Sequence, residues 1–379
     1  MRDSSSRKTE SLVKDNAGIL HVLAPMREGG LERVVAMMSV GQRANSVHVA
    51  TVLEPSTADA HPFINQLEML GVPVTRVVVG ARSYVREYRL LSALVSRLRP
   101  RVVHTHGYRA DAIGGAVARA HHVTAVSTVH GFTGGGRRNR FYEWLQILAL
   151  KRADAAIAVS SPIAERLAKD GVPPQKIHCI PNGFTPLVDI VPRATARQML
   201  GITTDALIAG WVGRLSREKG ADIMLEALAQ CDPRWRLSVI GDGDEFLHLR
   251  EQAAALRISD RIAWHGSIAN AGSLFTAFDA FVLSSRTEGT PIALFEAMNA
   301  GVPIVATRVG GVPDVVNPSN AILVPAEDPR AIAAALAEVK RDAPGAANRA
   351  ARARERLLQS FSLAAWLGAI DGVYKAAHK

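Results

Sequence analysis

The sequence predicts an α/β protein made of two doubly wound parallel-sheet domains that face each other across a cleft. The chain has 379 residues and a mass of 40.6 kDa, which is too long for one compact core and suits two domains. Short apolar runs alternate with segments of helical periodicity from end to end, as in successive βαβ units. A segment with three prolines separates two such series of similar size.

In the first series, apolar runs predict strands, and the segments between them with a period of 3.6 predict helices. The strands are expected at 18–24, 46–53, 74–79, 101–104, 124–129 and 154–159. The helices are expected near 31–42, 84–98, 109–120 and 138–152.

The second series repeats this alternation. Its strands are expected near 207–212, 236–240, 261–264, 279–283 and 303–306. Its helices are expected near 219–230, 244–256, 268–277 and 291–299, followed by helical, Ala-rich sequence over about 328–378.

The boundary between the domains is expected in IPNGFTPLVDIVPR, where prolines rule out a regular helix. We therefore divide the chain into a disordered tail over 1–16, an N-terminal domain over 17–185 and a C-terminal domain over 186–360. The last segment, 361–379, is expected to be a helix that has the option of packing back on the N-terminal domain.

Composition excludes several classes of protein. Apolar residues make up 48% and charged residues 21%, which is typical of a soluble globular chain, and no apolar run approaches the length of a membrane span. The polar start, MRDSSSRKTESLVKDN, lacks the apolar core of a secretion signal. The two cysteines, Cys179 and Cys231, are placed in separate predicted strands, which excludes a disulfide scaffold and fits the cytosol.

The net charge of +10 lies entirely in the first half. Residues 1–186 hold 24 basic and 14 acidic side chains, whereas residues 187–379 hold 21 of each. One basic face suits an anionic membrane surface or an acidic acceptor. Zinc-finger spacing, a heptad zipper and an aromatic RNP-type strand are all absent from the sequence, so a nucleic-acid partner is not expected. An excess of arginine through coding bias is the competing explanation.

Two stretches account for much of this basic half, and each is either a solvated face over a core-packing stripe or a contact with a membrane interface. In the first, Arg82, Arg86, Arg89 and Arg97 are expected on one helical face, opposite Leu90, Leu91, Leu94 and Leu98. In the second, aromatic residues accompany the cations: Arg137, Arg138 and Arg140 with Phe141, Tyr142 and Trp144.

Candidate chemistry is concentrated at two strand ends of the second half. Arg214 follows the strand 207–212, and Lys219 opens the next helix, so two cations can converge on one anion at a helix N-terminus. Glu288 lies in the turn after the strand 279–283, and Glu296 lies on the following helix among apolar residues. A carboxylate in that position needs hydrogen-bond donors, and either neighbouring backbone or vicinal ribose hydroxyls can supply them.

The segments EGTPIALFEAMNAGVPIVAT and GRLSREKG resemble those of glycosyltransferase family 4, whose members are retaining enzymes of the GT-B fold. In both, two glutamates are separated by seven residues, here Glu288 and Glu296. APMREGGLERVV, VVHTHG, STVHGF, IPNGF and VIGDGDE are also similar to family segments in the same order over about 300 residues. The resemblance implies a GT-B protein of two Rossmann-like domains, with an acceptor-side N-terminal domain and a C-terminal domain that binds a nucleotide sugar.

The resemblance also implies roles for individual residues. Arg214 and Lys219 would hold the donor diphosphate, Glu296 the ribose, and Glu288 would lie against the donor sugar. Backbone amides of Gly289, Thr290 and Ile292 would meet the sugar and the phosphates. Across the cleft, Gly29 and Gly30 would close on the diphosphate and His130 would reach the donor sugar, and the backbone of Ile268 would contact the base. His130 and Glu288 are the candidate catalytic residues.

No metal and no cofactor are expected, because Arg214, Lys219 and the helix end can neutralise the leaving diphosphate. Asp242-Gly243-Asp244 has the form of a metal-binding Asp-x-Asp, yet Gly and Asp are ordinary turn and N-cap residues at a strand end. His104 and His106, with His121 and His122 nearby, allow two interpretations: zinc ligands, or ordinary polar residues at a strand end.

The sequence thus predicts a cytoplasmic, retaining, metal-independent hexosyltransferase that uses a nucleoside-diphosphate sugar, UDP being favoured over GDP. Its acceptor is expected to be lipid-linked or an envelope glycan, with peripheral contact to the inner face of the cell membrane as an option. The alternatives are a GT-B epimerase or phosphorylase, and a non-catalytic sugar-nucleotide-binding scaffold protein. A dinucleotide-dependent dehydrogenase is disfavoured because the glycine-rich segment lacks G-x-G-x-x-G spacing.

Overall fold

A computed structural model describes residues 18–25, 29–58, 61–132, 137–186, 190–202 and 206–378, without the side chains of Arg137 and Arg138. The predicted tail over 1–16 lies outside the described residues. The described chain forms two parallel sheets with helices between successive strands, in agreement with the predicted fold class.

The N-terminal sheet contains seven strands in the order β3-β2-β1-β4-β5-β6-β7, all parallel. The strands are β1 (Ile19–Leu23), β2 (Val47–Leu53), β3 (Val74–Val78), β4 (Val102–His106), β5 (Thr124–Val129), β6 (Ala155–Ala158) and β7 (Ile177–Cys179). The helices are α1 (Gly30–Gly41), α2 (Pro62–Met69), α3 (Tyr84–Leu98), α4 (Tyr108–Ala120), α5 (Arg137–Arg152) and α6 (Ser161–Lys169). Every residue of β1 and β4 is buried, as expected of central strands covered on both faces.

The C-terminal sheet contains six parallel strands in the order β10-β9-β8-β11-β12-β13. They are β8 (Leu207–Val212), β9 (Trp235–Ile240), β10 (Ile262–Trp264), β11 (Ala280–Leu283), β12 (Ile304–Thr307) and β13 (Ile322–Val324). The helices are α7 (Arg193–Met199), α8 (Ala221–Gln230), α9 (Phe246–Ala255), α10 (Ile292–Ala300), α11 (Val312–Val315), α12 (Pro329–Arg341), α13 (Ala343–Ser360) and α14 (Leu363–Ala377).

The order of strands in each sheet reverses once, between β1 and β4 in the first and between β8 and β11 in the second. Ligands of open parallel sheets bind at the carboxyl ends of the strands beside such a reversal, because the flanking loops diverge there and leave a crevice. The loops after β1, β4, β8 and β11 therefore define where a site is expected.

Helices α12, α13 and α14 are separate because each has its own N-cap. Asp328 accepts a hydrogen bond from the amide of Ala331, Asp342 from that of Gly345, and Ser362 from that of Ala365. The chain then returns to the N-terminal domain, where α14 contacts α1 and β5. Phe184 in the segment between the sheets donates its amide to the carbonyl of Phe361 at 2.8 Å, which fixes the start of this return.

Four local predictions are wrong. The helix expected at 219–230 begins at Ala221, because Gly220 adopts a left-handed φ of +66°. Gly220 also packs closely against the carbonyl of Ser284, where a Cβ would not fit. Cys231 lies in the turn after α8 rather than in a strand, since β9 starts at Trp235. The helix expected at 268–277 is a 3₁₀ helix over Ala271–Ala277.

The fourth error concerns the basic stripe on α3. Arg82 precedes the helix with a left-handed φ of +64°, so its side chain does not share a helical face with Arg86 and Arg89. Leu90 is 40% exposed because the buried stripe of α3 runs through Leu91 and Leu94. No helix within the described ranges is long and apolar enough to cross a membrane.

Candidate active site

Lys219 and Glu288 meet at the carboxyl edge of the C-terminal sheet. The ammonium nitrogen of Lys219 lies 2.8 Å from each carboxylate oxygen of Glu288, and Ser285 donates its hydroxyl to Oε1 at 2.6 Å. A Cβ on Gly220 would lie 2.1 Å from the carbonyl oxygen of Ser284, so the turn after β8 is held directly against the loop after β11. This close approach brings residues 69 positions apart into one ion pair.

Arg214 leaves β8 at the same edge, and its side chain is exposed. Both cations affect the pKa of the Glu218 carboxyl. Burial raises this pKa, but hydrogen bonds and the charges of Arg214 and Lys219 lower it below its usual range. The structure thus places Arg214 and Lys219 on one short turn, as the sequence predicted.

Glu296 forms an ion pair across the two domains. Its carboxylate is 1% exposed on α10, and its Oε1 accepts a hydrogen bond from Nη2 of Arg33 on α1 at 2.5 Å. Burial raises the pKa of the Glu296 carboxyl, and the Arg33 guanidinium offsets part of that rise. Glu296 therefore finds its donor in a side chain rather than in neighbouring backbone.

The loop from Gly289 to Pro291 is where the domains touch before α10 begins. A Cβ on Gly289 would lie 2.3 Å from the carbonyl oxygen of His130, a distance that backbone does not tolerate. The hydroxyl of Thr290 donates to the carbonyl of Val159, and the side chain of Asn182 donates to the carbonyl of Thr290 at 3.5 Å. The start of α10, at Ile292, is thus aligned with the end of β5.

His130 is the outer member of a buried group of histidines. His21 on β1 and His106 on β4 are joined from Nδ1 to Nε2 at 3.0 Å, and Nδ1 of His106 lies 3.2 Å from Nε2 of His130. His104 bonds the hydroxyls of Tyr374 and Thr128, at 2.6 and 2.7 Å. Burial lowers the pKa of His21 and of His130 to about 4, so both rings are neutral at physiological pH.

The facing edges therefore hold a carboxylate–ammonium pair, an interdomain ion pair, an exposed arginine and a neutral histidine. Two family models match the chain: a glycosyl transferase 4-like domain over residues 29–183, and glycosyl transferases group 1 over residues 192–356. The lipopolysaccharide core biosynthesis mannosyltransferase LpsB of Rhizobium meliloti is 31% identical over 65% of this chain and 71% of its own length. The chain belongs to glycosyltransferase family 4. It is a glycosyltransferase.

Two further comparisons agree with this membership. An Escherichia coli UDP-Gal:α-D-GlcNAc-diphosphoundecaprenol α-1,3-galactosyltransferase is 28% identical over 60% of the chain and 64% of its own length. The crystal structure of HepE from Anabaena, in complex with UDP and glucose, superposes with a TM-score of 0.85 at 22% identity, covering 94% of this chain and 99% of that one. The two-domain architecture is the GT-B fold of the family.

The remaining predicted donor residues of this family 4 enzyme lie at the expected loops. Gly29 caps α1 with extended backbone, and its carbonyl accepts the amide of Arg33 at 3.3 Å. Gly30 starts the helix, and an added Cβ there would meet no heavy atom of the described residues within 4 Å. Ile268 follows β10 and packs its side chain against the apolar core. Their contacts with a donor remain predictions.

The two candidate metal motifs, Asp242-Gly243-Asp244 and the histidine group, differ in their surroundings. Asp242 accepts the amide of Gly243 at 2.8 Å and belongs to the turn before α9. Within the described ranges, the histidines 21, 104 and 106 form the one group of side chains close enough to hold a metal ion. Both nitrogens of each ring already have protein partners, so the polar set is satisfied without an ion. His121 and His122 lie at the opposite, amino edge of the sheet, before β5, and do not join this group.

Sequence reasoning missed three residues that shape the site. Arg33 pairs with Glu296 from 263 positions away, and only its place near Gly30 could have suggested it. Gly310 and Gly311 support the loop after β11: a Cβ on Gly310 would lie 1.8 Å from the carbonyl oxygen of Glu288, and one on Gly311 would lie 2.1 Å from that of Gly289. Their position in the segment RVGG was the available signal.

Proposed function

We propose that this glycosyltransferase moves a sugar, with retention and without a metal, from a nucleoside diphosphate to a lipid-linked or envelope glycan. The observation that carries the proposal is the convergence of Lys219, Glu288 and the start of α10 at the reversal point of the C-terminal sheet. Anions bind at helix N-termini, and ligands of such sheets bind at this point. The geometry therefore supports a diphosphate held between Arg214, Lys219 and α10.

The chemistry requires these residue types. Breaking the bond between the anomeric carbon and the diphosphate leaves the electron pair on a phosphate oxygen, and cations lower the free energy of that leaving group. As the diphosphate binds, Lys219 can share its ammonium group between phosphate and Glu288. The Glu288 carboxylate then faces a sugar that becomes cation-like as the bond stretches, and its charge stabilises that state.

The ribose is assigned to Glu296. Its Arg33 partner is 45% exposed, so the guanidinium can leave the carboxylate for water or for a phosphate oxygen while vicinal hydroxyls take its place. Two hydroxyl groups can donate hydrogen bonds to both oxygens of a buried carboxylate, although they supply no positive charge. His130 is assigned to the donor sugar from the N-terminal side of the cleft.

UDP is the favoured nucleotide. The E. coli relative is named for a UDP-sugar and a diphosphoundecaprenol acceptor, and HepE binds UDP. LpsB is named for lipopolysaccharide core synthesis, which supports an envelope glycan as the class of acceptor.

The acceptor side is assigned to the basic N-terminal domain, docked on the anionic inner face of the cell membrane. Arg86 and Arg89 are exposed on α3, and Phe141 and Trp144 are 55% and 57% exposed at the start of α5 with stacked rings 5.9 Å apart. Exposed aromatic rings beside cations suit the headgroup region of a bilayer.

The test of the donor assignment is a thermal-stability screen with UDP-, GDP- and ADP-sugars, followed by transfer assays with the nucleotide that stabilises the protein. A ligand at 100 times its Kd adds about 2.7 kcal/mol to the free energy of unfolding. Stabilisation by UDP-sugars that disappears in Lys219→Ala supports the proposal. Equal stability with and without every nucleotide contradicts it.

A further inference from the structure

Five side chains form one hydrogen-bonded line from the C-terminal helix to the cleft. Nε2 of Gln42 donates to Oδ1 of Asp371 on α14 at 3.1 Å, and Oε1 of Gln42 lies 3.3 Å from Nε2 of His21. Nδ1 of His21 lies 3.0 Å from Nε2 of His106, whose Nδ1 lies 3.2 Å from Nε2 of His130. Gln42, His21 and His106 are each at most 2% exposed.

The acid at one end sets the direction of every bond in the line. A carboxylate oxygen accepts hydrogen bonds, so Asp371 accepts one from the Gln42 amide N–H, and the amide oxygen must then accept from His21 Nε2–H. A neutral imidazole carries one N–H and one lone pair, so His21 accepts at Nδ1 from His106 Nε2–H. By the same rule His106 accepts at Nδ1 from His130 Nε2–H.

We propose that Asp371 and Gln42 act through His21 and His106 to hold His130 in the Nε2–H tautomer, leaving Nδ1 of His130 to accept a hydrogen bond from a donor-sugar hydroxyl. The contact with the sugar rests on the proposed function, whereas the tautomer does not. Asp371, Gln42, His21 and His106 are positioning residues, because they act on the sugar through His130.

Two observations support a fixed rather than a fluctuating tautomer. Burial lowers the pKa of His21 and of His130 to about 4, and that of His106 well below its usual range. Near neutral pH each of these rings is therefore neutral and carries a single N–H. Reversing the line would require the Gln42 amide to turn so that its oxygen faces the Asp371 carboxylate. Both groups are hydrogen-bond acceptors, so no hydrogen bond would form between them. The direction is therefore locked by a charge on α14, far along the chain from His130.

The test is histidine nitrogen NMR on the ligand-free, full-length protein labelled with ¹⁵N-histidine, because pyrrole-type and pyridine-type nitrogens have well-separated shifts. We expect His21, His106 and His130 all to be Nε2–H. Asp371→Asn removes the lock, since an asparagine amide can donate or accept, and the Nδ1–H form of His130 should rise from below about one tenth to about one half. The double variant Gln42→Glu with Asp371→Asn restores an acceptor beside His21 and should restore Nε2–H.

Thr128→Val is the matched control. Thr128 bonds Nε2 of His104, which stands outside the line, so loss of its hydroxyl should leave all three tautomers unchanged. An Nδ1–H His130 in the wild-type protein, unchanged tautomers in Asp371→Asn, or an equal effect of Thr128→Val would each overturn the proposal.

Turnover of UDP-glucose separates this inference from the proposed function. If the probe is turned over, Asp371→Asn should lower kcat about twofold, in proportion to the loss of the Nε2–H form of His130, with a smaller change in KM, and the double variant should recover it. Absence of turnover in a wild-type protein with the expected tautomers would count against UDP-glucose as donor and leave the tautomer assignment supported. Turnover in a protein with the opposite tautomers would support UDP-glucose as the donor and overturn the tautomer assignment.

Discussion

Arg33 and Glu296 join the two domains through a hydrogen-bonded ion pair of 2.5 Å between α1 and α10. The glutamate is almost fully buried while the arginine is 45% exposed, so the two partners do not contribute equally. The carboxylate depends on its donor, whereas the guanidinium has water as an alternative. A ligand with hydroxyl donors can therefore replace Arg33 as the hydrogen-bond donor to this carboxylate, while the guanidinium moves into water.

Arg33→Ala should destabilise the ligand-free protein, because Glu296 then keeps its desolvation cost without a partner. We expect a loss of about 1–3 kcal/mol in the free energy of unfolding, less than for a fully buried pair because half of Arg33 faces water. Urea unfolding of Arg33→Ala, Glu296→Gln and the double variant measures the coupling. A coupling energy near zero in this cycle would show that the contact does not stabilise the protein.

Arg214→Ala and Lys219→Ala should each weaken binding of the nucleoside diphosphate and lower kcat/KM by about 10²–10³-fold. The reason is the loss of a cation from the leaving group, and added magnesium should not compensate. Calorimetric titration with UDP and initial rates with and without chelator measure both effects. Arg217→Ala, an exposed cation on the same turn, is the control. Turnover abolished by chelator but retained in Arg214→Ala would contradict metal independence.

Gly289→Ala should lower activity by about 10²-fold, because its Cβ would lie 2.3 Å from the carbonyl of His130 and displace the two domains by part of an ångström. Gly368→Ala on α14 adds a Cβ with no described heavy atom within 4 Å and serves as the control. Transfer rates and melting temperatures of both variants provide the measurement. Full activity in Gly289→Ala would mean that the interdomain contact is not required for catalysis.

The protein should lose stability as the pH falls from about 6.5 to about 4. His21 and His130 have folded pKa values of about 4, below the usual 6.5, so the unfolded chain binds more protons in this range. Their contribution is complete above pH 6.5 and is lost as the pH falls through 4, and each accounts for up to about 3 kcal/mol. Urea unfolding at several pH values should show a shallower dependence in His21→Gln.

The control for that series is His248→Gln, which removes an exposed histidine. If His21→Gln and the wild-type protein share the same pH dependence, His21 does not stay neutral in the folded state.

Binding to vesicles should require anionic lipid and should fall as salt is added. Each arginine near an anionic surface contributes about 1 kcal/mol, and the attraction is screened over about 8 Å at physiological ionic strength. Co-sedimentation with vesicles should drop when Arg82, Arg86 and Arg89 are all changed to Ser. Equal binding to neutral and anionic vesicles, or none to either, would leave the basic half without this explanation.

The matched control for the vesicle experiment changes the same number of exposed arginines in the C-terminal domain. These are Arg250, Arg330 and Arg354. A similar drop in this variant would show a general effect of charge rather than docking by the N-terminal domain.

The sequence by itself determined the α/β class, the two-domain division and most strands, because hydrophobic periodicity reports burial locally. The loop after β11 was also predictable, since Glu288, Glu296 and their surroundings lie within one short segment. Errors arose where a single backbone conformation decided the outcome, as at Gly220 and Arg82, whose left-handed φ angles exclude them from the helices that follow.

Only the tertiary structure decided which distant side chains meet. The pairing of Arg33 with Glu296 spans 263 positions, and the contact of Gln42 with Asp371 spans 329. Periodicity assigns a residue to one face of its own helix or strand but does not say which element covers that face. The domains must dock, and α14 must return to the first domain, before these contacts exist, so they arise from packing between elements rather than from any local pattern.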